Sequence, residues 1–271
     1  MNRTVMILDL LAAHRTVKLS MLSEALNVSH VTLRKDLDKL ESRGIIKCTH
    51  GYASLDGADE TCKRMAFCYL IKQKIAKAAA QTVEDGETVM LESGSCCALF
   101  AEELVFARKN VTIVTNSVFI ANYISDLSDI KVVLLGGCFQ PDSHVAVGPI
   151  TIKSAEDIYS DKFFVGVDGF ILGQGFTGSD LLRIETATGL AKRANKVFVL
   201  TEAEKFCRRG TYGLIHLDKI TGVFTDDSIP KEAEAELVKN NVQLHKVSVS
   251  DEKIKWYQPP GHPPILYTEK G

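Results

Sequence analysis

The stretch Ser20-Met-Leu-Ser-Glu-Ala-Leu-Asn-Val-Ser-His-Val-Thr-Leu-Arg-Lys-Asp-Leu-Asp-Lys-Leu-Glu-Ser-Arg-Gly44 decides the fold of the N-terminal part of the chain. Ser20 is placed to N-cap a short helix, its hydroxyl accepting a free backbone N–H of the first turn. Leu22, Ala25 and Leu26 fall on one face at helical spacing. Asn27-Val28-Ser29 makes a turn, and Ser29 is placed to cap a second, longer helix. Leu33, Leu37 and Leu40 line one side of that helix, and Gly44 sits where a helix stop is expected. Thr32 and Lys35 fall mostly on the other side, flanked by His30 and Arg34. This is the layout of a helix-turn-helix, whose second helix enters the major groove of double-stranded DNA by its N-terminal end. The same residues also fit an ordinary amphipathic helical hairpin with a solvated charged face.

The segments on either side favour the first alternative. Ile45-Ile46-Lys47-Cys48 and Tyr52-Ala53-Ser54-Leu55 read as two short strands around Thr49-His50-Gly51, a hairpin placed where a winged helix carries its wing. Lys47 and His50 on it are in position to meet backbone phosphates, which orient a protein on DNA without reading sequence. Upstream, Thr4 to Ala13 is an apolar helix expected to pack under the pair, with Thr16 to Leu19 as its link.

Val28-Ser29-His30-Val31-Thr32-Leu33-Arg34-Lys35-Asp36-Leu37, followed by Leu40-Glu41, Gly44 and His50-Gly51, resembles the N-terminal signature of the DeoR family of bacterial repressors. That family usually has two arginines where this chain has Arg34-Lys35, and two glycines where it has Gly51-Tyr52. Lysine keeps the charge but lacks the planar fork that reads guanine, so the departure bears on base preference.

Charge is distributed to match. The chain of 271 residues has a formal net charge of −2, yet residues 1–55 hold eight basic against five acidic residues, a net of +3, leaving −5 on the remainder. A modestly basic head on an acidic body suits a regulator: the head meets phosphate and the body limits non-specific adhesion. The bias is small, so a homo-oligomer presenting paired heads, dimer or tetramer, is expected. The length fits about two domains, and hydrophobic and charged contents of 45% and 24% are those of an ordinary globular protein. There is no run of about 18 apolar residues, and acidic Asp9 interrupts the apolar N-terminal stretch with no cleavage site after it. A cytoplasmic protein without a membrane partner is expected. The seven cysteines are odd in number and lack C-x-x-C spacing, so no metal site or other cofactor is expected. Adjacent Cys96-Cys97 admits a soft metal or a redox pair; two small side chains in a tight loop is the simpler reading.

Residues 56 to 66 lose periodicity and read as a linker. Beyond them strands alternate with polar loops and helices: helix Ile71–Val83 stopped by Asp85-Gly86, strand Thr88–Leu91, helix Ala98–Phe106, strand Val111–Val114, a helix through Tyr123, then strands Lys131–Leu135, Phe163–Val167, Lys196–Leu200 and Gly222–Phe224. That alternation argues for a parallel α/β sheet. The last 21 residues carry prolines 259, 260, 263 and 264, which exclude regular helix or a central strand. They are expected to be disordered or draped on the surface, with Trp256 available to pin them.

In open α/β sheets ligands sit at the carboxyl ends of the strands. Glu92-Ser93-Gly94-Ser95-Cys96 stands at such an end, where backbone N–H groups and two hydroxyls make a plausible phosphate cradle. It also reads as a plain strand-to-helix turn, with Gly94 at the bend and Ser95 as cap. The resemblance extends here through an ordered set: Glu92-Ser93-Gly94-Ser95, Thr115-Asn116-Ser117, Gly136-Gly137, Gly166-Val167-Asp168-Gly169, Glu185 at the start of a helix, and Lys205-Phe206. The resemblance implies a sugar-phosphate sensor related in fold to phosphosugar isomerases and aminosugar-phosphate deaminases. The serine-glycine loop would take phosphate, and Asp168, Glu185 and Lys205 would line the sugar pocket with Asn116 nearby. The chain departs from the family at Glu92, where aspartate is usual, and at Cys96-Cys97, where threonines are. It departs again at Thr201-Glu202-Ala203-Glu204, where an aspartate followed by two serines is more frequent.

The sequence therefore predicts an α/β protein: a winged helix-turn-helix over residues 1–56, a linker over 57–70, a mainly parallel α/β sensor domain over 71–250, resembling phosphosugar isomerases, and a Pro-rich tail over 251–271. The DNA-facing residues are Ser29, His30, Thr32, Arg34, Lys35, Lys47 and His50. The ligand-facing residues are Glu92, Ser93, Gly94, Ser95, Cys96, Asn116, Gly137, Asp168, Gly169, Glu185 and Lys205, with no catalytic residue. The expected function is a transcriptional regulator, a repressor of a carbohydrate-utilisation operon, with operator DNA and a phosphorylated sugar as partners. The alternatives are a phosphosugar isomerase or deaminase with an accessory head, and a DNA-binding protein whose sensor pocket has decayed. Against the enzyme, Gly169 to Gly175 contains no histidine to assist ring opening beside Asp168.

Overall fold

Residues 3–55, 60–127, 130–249, 253–257 and 265–269 are described by a computed structural model of the chain. They fall into two units: Met1–Leu70 together with Val249–Gly271, and Ile71–Ser248.

The first unit opens with helix α1 (Arg3–His14), strand β1 (Thr16–Lys18), helices α2 (Leu19–Leu26) and α3 (His30–Ser42), and strands β2 (Lys47–Thr49) and β3 (Tyr52–Ser54). Leu33, Leu37 and Leu40 are buried as their spacing requires, against a core that includes Ile7, Leu8, Leu11 and Leu22. Ser29 caps α3, its Oγ accepting from the Thr32 N–H at 3.2 Å. Asn27 makes the turn in the left-handed region, with φ 49°.

Three expectations here are corrected. Thr16–Lys18 is a strand rather than a link, pairing antiparallel with β3 so that the three-stranded order is β1-β3-β2. That extended entry starts α2 at Leu19, whose N–H donates to Gly51 O of the hairpin at 2.9 Å. Lys18 is then the cap residue, without a side-chain bond, and Ser20 lies inside the first turn. Ala25 is exposed, and Ser23 is the buried neighbour of Leu22, donating to Val28 O at 2.6 Å.

The stretch read as a linker contains helix α4 (Glu60–Ala66), in which Cys62, Met65 and Ala66 are buried. Three apolar positions in a seven-residue helix are too few to show a period among polar neighbours. In the tail, β16 (Lys253–Tyr257) pairs antiparallel with β17 (Ile265–Glu269). The prolines exclude a central strand but leave an isolated two-stranded ladder open, because they lie between its strands. The expectation for the Trp256 side chain falls outside the described residues.

The second unit starts in α5 (Tyr69–Ala80). Its strands are β4 (Thr88–Leu91), β5 (Thr112–Thr115), β6 (Lys131–Leu134), β9 (Ser160–Val165), β12 (Ala194–Leu200), β14 (Gly222–Asp226) and β15 (Gln243–Val247). They form one seven-stranded sheet in the order β15-β14-β12-β9-β4-β5-β6, parallel throughout. Helices α6 (Ser95–Ala107), α7 (Val118–Ile124), α8 (Pro149–Ser154), α9 (Leu181–Ala191) and α10 (Lys231–Lys239) make the crossovers. Burial on both faces explains the uninterrupted apolar strands, among them Val89-Met90-Leu91 and Phe163-Phe164-Val165.

Two small antiparallel additions had no signal in the sequence: a hairpin of β7 (Cys138–Gln140) with β8 (Val145–Val147), and a sheet β10-β11-β13 of Gly169–Ile171, Gly175–Gly178 and Tyr212–Gly213. The reversal of strand order lies between β4 and β9, so their carboxyl ends flank the crevice expected of such a sheet.

Candidate functional site

The wing turn is built by two residues of positive φ, His50 at 48° and Gly51 at 82°, between the paired Thr49 and Tyr52. That is the two-residue hairpin geometry in which glycine is favoured, and it puts His50 at the exposed tip. Glu41 ties the wing to α3, accepting from the Cys48 N–H at 2.7 Å. On the far side Arg3 holds Asp36 through Nε at 2.6 Å and Nη2 at 3.2 Å, fixing α1 to α3. Asp36 is thus a brace of the head and does not face outward.

His30, Arg34, Lys35, Lys47 and His50 are all exposed on α3 and the wing. Ser29 and Thr32 contribute differently: their hydroxyls lie 3.0 Å apart and complete the helix cap. Outside the expected DNA-facing set is Val31, which is 70% exposed in the first turn of α3.

In the second unit the carboxyl ends of β4, β5 and β9 bring together Glu92–Ser95, Asn116 and Gly166–Asp168. Gly94 and Gly166 are in close apposition: a Cβ on either would lie 3.1 Å from the other's Cα. Glu92 is buried at the end of β4. Its Oε1 accepts from Ser93 Oγ at 2.7 Å and from Arg183 Nη2 at 3.0 Å. Its Oε2 has no hydrogen-bond partner among the described residues, and neither have Asn116 Oδ1 and Arg183 Nε. Asn116 is held by its amide, which donates to Ala146 O at 2.8 Å. Buried polar atoms of this kind are ordinarily satisfied, and these three belong to residues just past the carboxyl ends of β4 and β5 and in the first turn of α9.

Arg183 is the second residue the sequence reading missed. Asp180 caps α9, accepting from the Arg183 N–H at 2.8 Å, and so fixes the first turn that aims Arg183 at Glu92. Burial alone would lower the Arg183 pKa; Glu92, Asp168 and Asp180 outweigh it and raise it. Asp168 is within that cluster and accepts from the Ser179 N–H at 2.8 Å.

Other expected ligand residues stand differently. Ser95 is the first residue of α6, and Gly94 is the cap residue without a side-chain bond. Cys96 and Cys97 lie in the first turn of α6 rather than in a loop, both buried, their thiols pushed well above the usual range by burial. Cys96 Sγ donates to Glu202 Oε2 at 3.7 Å and Cys97 Sγ to Phe164 O at 3.6 Å. Glu185 does not begin a helix: α9 starts at Leu181, and Glu185 is exposed one turn further on. Gly169 has a packing reason, since a Cβ there would lie 2.5 Å from Arg208 O; one on Gly137 would lie 1.8 Å from Thr151 Oγ1.

The two extra acids near Lys205 are each paired. Glu202 is bound by buried Lys72 of α5 at 2.9 Å, and Glu204 pairs with Arg208. Burial would raise the Glu202 pKa, but Lys72, with Lys205 adding to it, holds it below the usual carboxylate range. Each of the two carboxylates is thus matched by a cation. Among the described residues no cluster of His, Cys, Asp and Glu is arranged to hold a metal, and no helix is long and apolar enough to cross a membrane.

Comparison with known proteins places both units. The "DeoR-like helix-turn-helix domain" matches residues 3–57, and the "DeoR C terminal sensor domain" matches residues 68–227. The HTH-type transcriptional regulator GolR of Listeria innocua is 31% identical over 83% of this chain and 90% of its own length. The L-fucose operon activator of Escherichia coli is 29% identical over 82% and 93%, and the HTH-type transcriptional repressor GlcR of Bacillus subtilis is 29% identical over 90% and 95%. Among solved structures, ribose 5-phosphate isomerase A of Methanocaldococcus jannaschii aligns at 22% identity with a TM-score of 0.37, over 51% of this chain and 54% of that one, a likeness too slight to carry an argument.

Proposed function

Because the chain belongs to the DeoR family of DNA-binding transcriptional regulators, we propose that its operator affinity is set by a phosphorylated sugar held where β4, β5 and β9 end. The observation that carries this reading is the trio of unpartnered polar atoms there: Glu92 Oε2, Asn116 Oδ1 and Arg183 Nε. Two acceptors and one cationic donor suit a polyol, whose hydroxyls both donate and accept. The N–H groups at the start of α6 and the Arg183 guanidinium suit its phosphate. Asp168 follows β9, and Lys205 follows β12, the neighbouring strand of the sheet.

The mechanism is linkage. A ligand that favours one arrangement of an oligomer changes the spacing of paired heads and hence affinity for paired half-sites. The named relatives include a repressor and an activator, so the fold serves either sign; we assign repression of a carbohydrate-utilisation operon in the cytoplasm. A non-enzymatic role is preferred over a phosphosugar isomerase or deaminase because Gly169 to Gly175, the segment that follows Asp168, contains no histidine to assist ring opening.

The test is the thermal stability of the full chain against a panel of sugar phosphates and their free sugars. A rise with one phosphate, absent with its free sugar, supports the reading, since a ligand of the native state must stabilise it. No rise across the panel removes the phosphate from it.

A further inference from the structure

We infer that Val31 is a base-reading residue of the head, making apolar contact with a pyrimidine C5-methyl group, that of thymine, in the major groove. At 3.6 residues per turn, Val31 and Lys35 stand on the side of α3 opposite the buried Leu33, Leu37 and Leu40. They therefore form the centre of the outward face, flanked by Arg34 and Thr32, with His30 exposed at the first position of the helix. Val31 is 70% exposed, the largest fraction among the exposed large hydrophobics in the described residues of the head.

Among the described residues of the head, none covers Val31 enough to bury it. A β-branched residue is a poorer helix former than alanine or glutamate at an exposed position. A residue that breaks a local preference without a packing return is the mark of a functional site. The neighbours narrow its role. The Ser29 and Thr32 hydroxyls are 3.0 Å apart and occupied in the cap, which leaves one apolar and three basic or polar side chains, His30, Arg34 and Lys35, at the leading end of the helix. Phosphates and the donor and acceptor edges of bases answer to the polar three. The apolar one has a single counterpart in the major groove, the C5-methyl of thymine, which tells T·A from the other pairs.

The experiment uses the full chain. Its preferred duplex is recovered from a random library, and each thymine of that duplex is then replaced singly by deoxyuridine, which removes only the methyl. The expected result is one thymine per half-site at which the replacement weakens binding about fourfold, the worth of one buried methyl-sized group. Val31→Ala weakens binding to the thymine duplex and brings the thymine-to-uracil ratio at that position to about one. Lys35→Ala weakens both duplexes alike and leaves the ratio unchanged. Because Val31 is exposed, the variant keeps its fold, and an unchanged circular dichroism spectrum and melting temperature verify that. The inference is overturned if no thymine shows methyl dependence, or if the ratio survives Val31→Ala.

Discussion

Arg183 in the first turn of α9 donates to Glu92 at the end of β4 across 3.0 Å, joining residues 91 apart in the chain. Both side chains are largely buried, at 19% and 6% exposure. Taking one partner from such a pair strands a charge in a poor solvent, at a cost of roughly 3–5 kcal/mol. Arg183→Gln is therefore expected to lower the unfolding free energy by about 3 kcal/mol in urea titrations followed by circular dichroism. Glu92→Gln in that background should recover part of the loss. Additive losses would mean that the two residues act separately.

The same pair governs the proposed ligand site. Glu92 competes with an incoming anion for Arg183, so Glu92→Gln is expected to raise the affinity for whichever sugar phosphate stabilises the chain, and Arg183→Gln to lower it. Isothermal titration of the two variants against wild type measures both signs. Equal affinity in all three proteins would place the phosphate away from Arg183.

Much of this architecture was legible in the sequence. Strand Thr88–Leu91 and the Leu33, Leu37 and Leu40 face were readable because a strand buried on both faces leaves an unbroken apolar run and an amphipathic helix spaces its apolar residues by its turn. Arg183 was not, because a lone arginine in a first helical turn looks solvated until the sheet brings Glu92 beside it. Ser20 misled because a cap depends on where the preceding chain turns, and that was settled by β1 pairing with β3. The three-residue strands β7 and β10 are too short to show alternation, and the close packing of Gly169 on Arg208 joins residues that are neighbours only in the fold.

Lys72 and Glu202 give a pH signature. Lys72 holds the folded-state pKa of Glu202 below its unfolded value, so the pair's contribution is present above about pH 4.5 and is lost as pH falls through the lowered value. Lys72→Met leaves Glu202 buried without that cation at neutral pH. A loss of several kcal/mol is expected at pH 7. The gap from wild type should narrow as pH falls from neutrality toward about 4.5, because burial raises the Glu202 pKa once Lys72 is gone and protonation then removes the stranded charge. Urea midpoints of both proteins between pH 4 and 8 measure this; a gap independent of pH would assign the loss to packing.

Arg34 and Lys35 are exposed at the start of α3 and are expected to contribute through charge as well as geometry. Arg34→Ala should weaken binding to the recovered duplex. If Arg34 meets a phosphate, the slope of log affinity against log salt falls by about one for each head engaged. If it reads a base, the slope holds and selectivity at one position relaxes, with a loss of about 1–3 kcal/mol. Fluorescence anisotropy between 50 and 200 mM salt separates the two. An unchanged affinity would remove Arg34 from the interface.

Asp9 provides the last test, in the head alone. It lies half-buried in α1 among Leu8, Leu10 and Leu11, and burial pushes its carboxyl up to about 6. A carboxyl with a raised folded-state pKa opposes folding once the unfolded chain ionises more readily than the folded one. The penalty therefore grows as pH rises from about 4 to 6 and is complete above that. Its full size is roughly 3 kcal/mol for a shift of about two pH units. Asp9→Asn should accordingly stabilise the head at pH 7.5 and make little difference at pH 4, read as hydrogen-exchange protection of the α1 and α3 amides in the full chain. Equal protection of both proteins at pH 7.5 would show that water reaches the Asp9 carboxylate and that α1 seats less tightly than its buried leucines indicate.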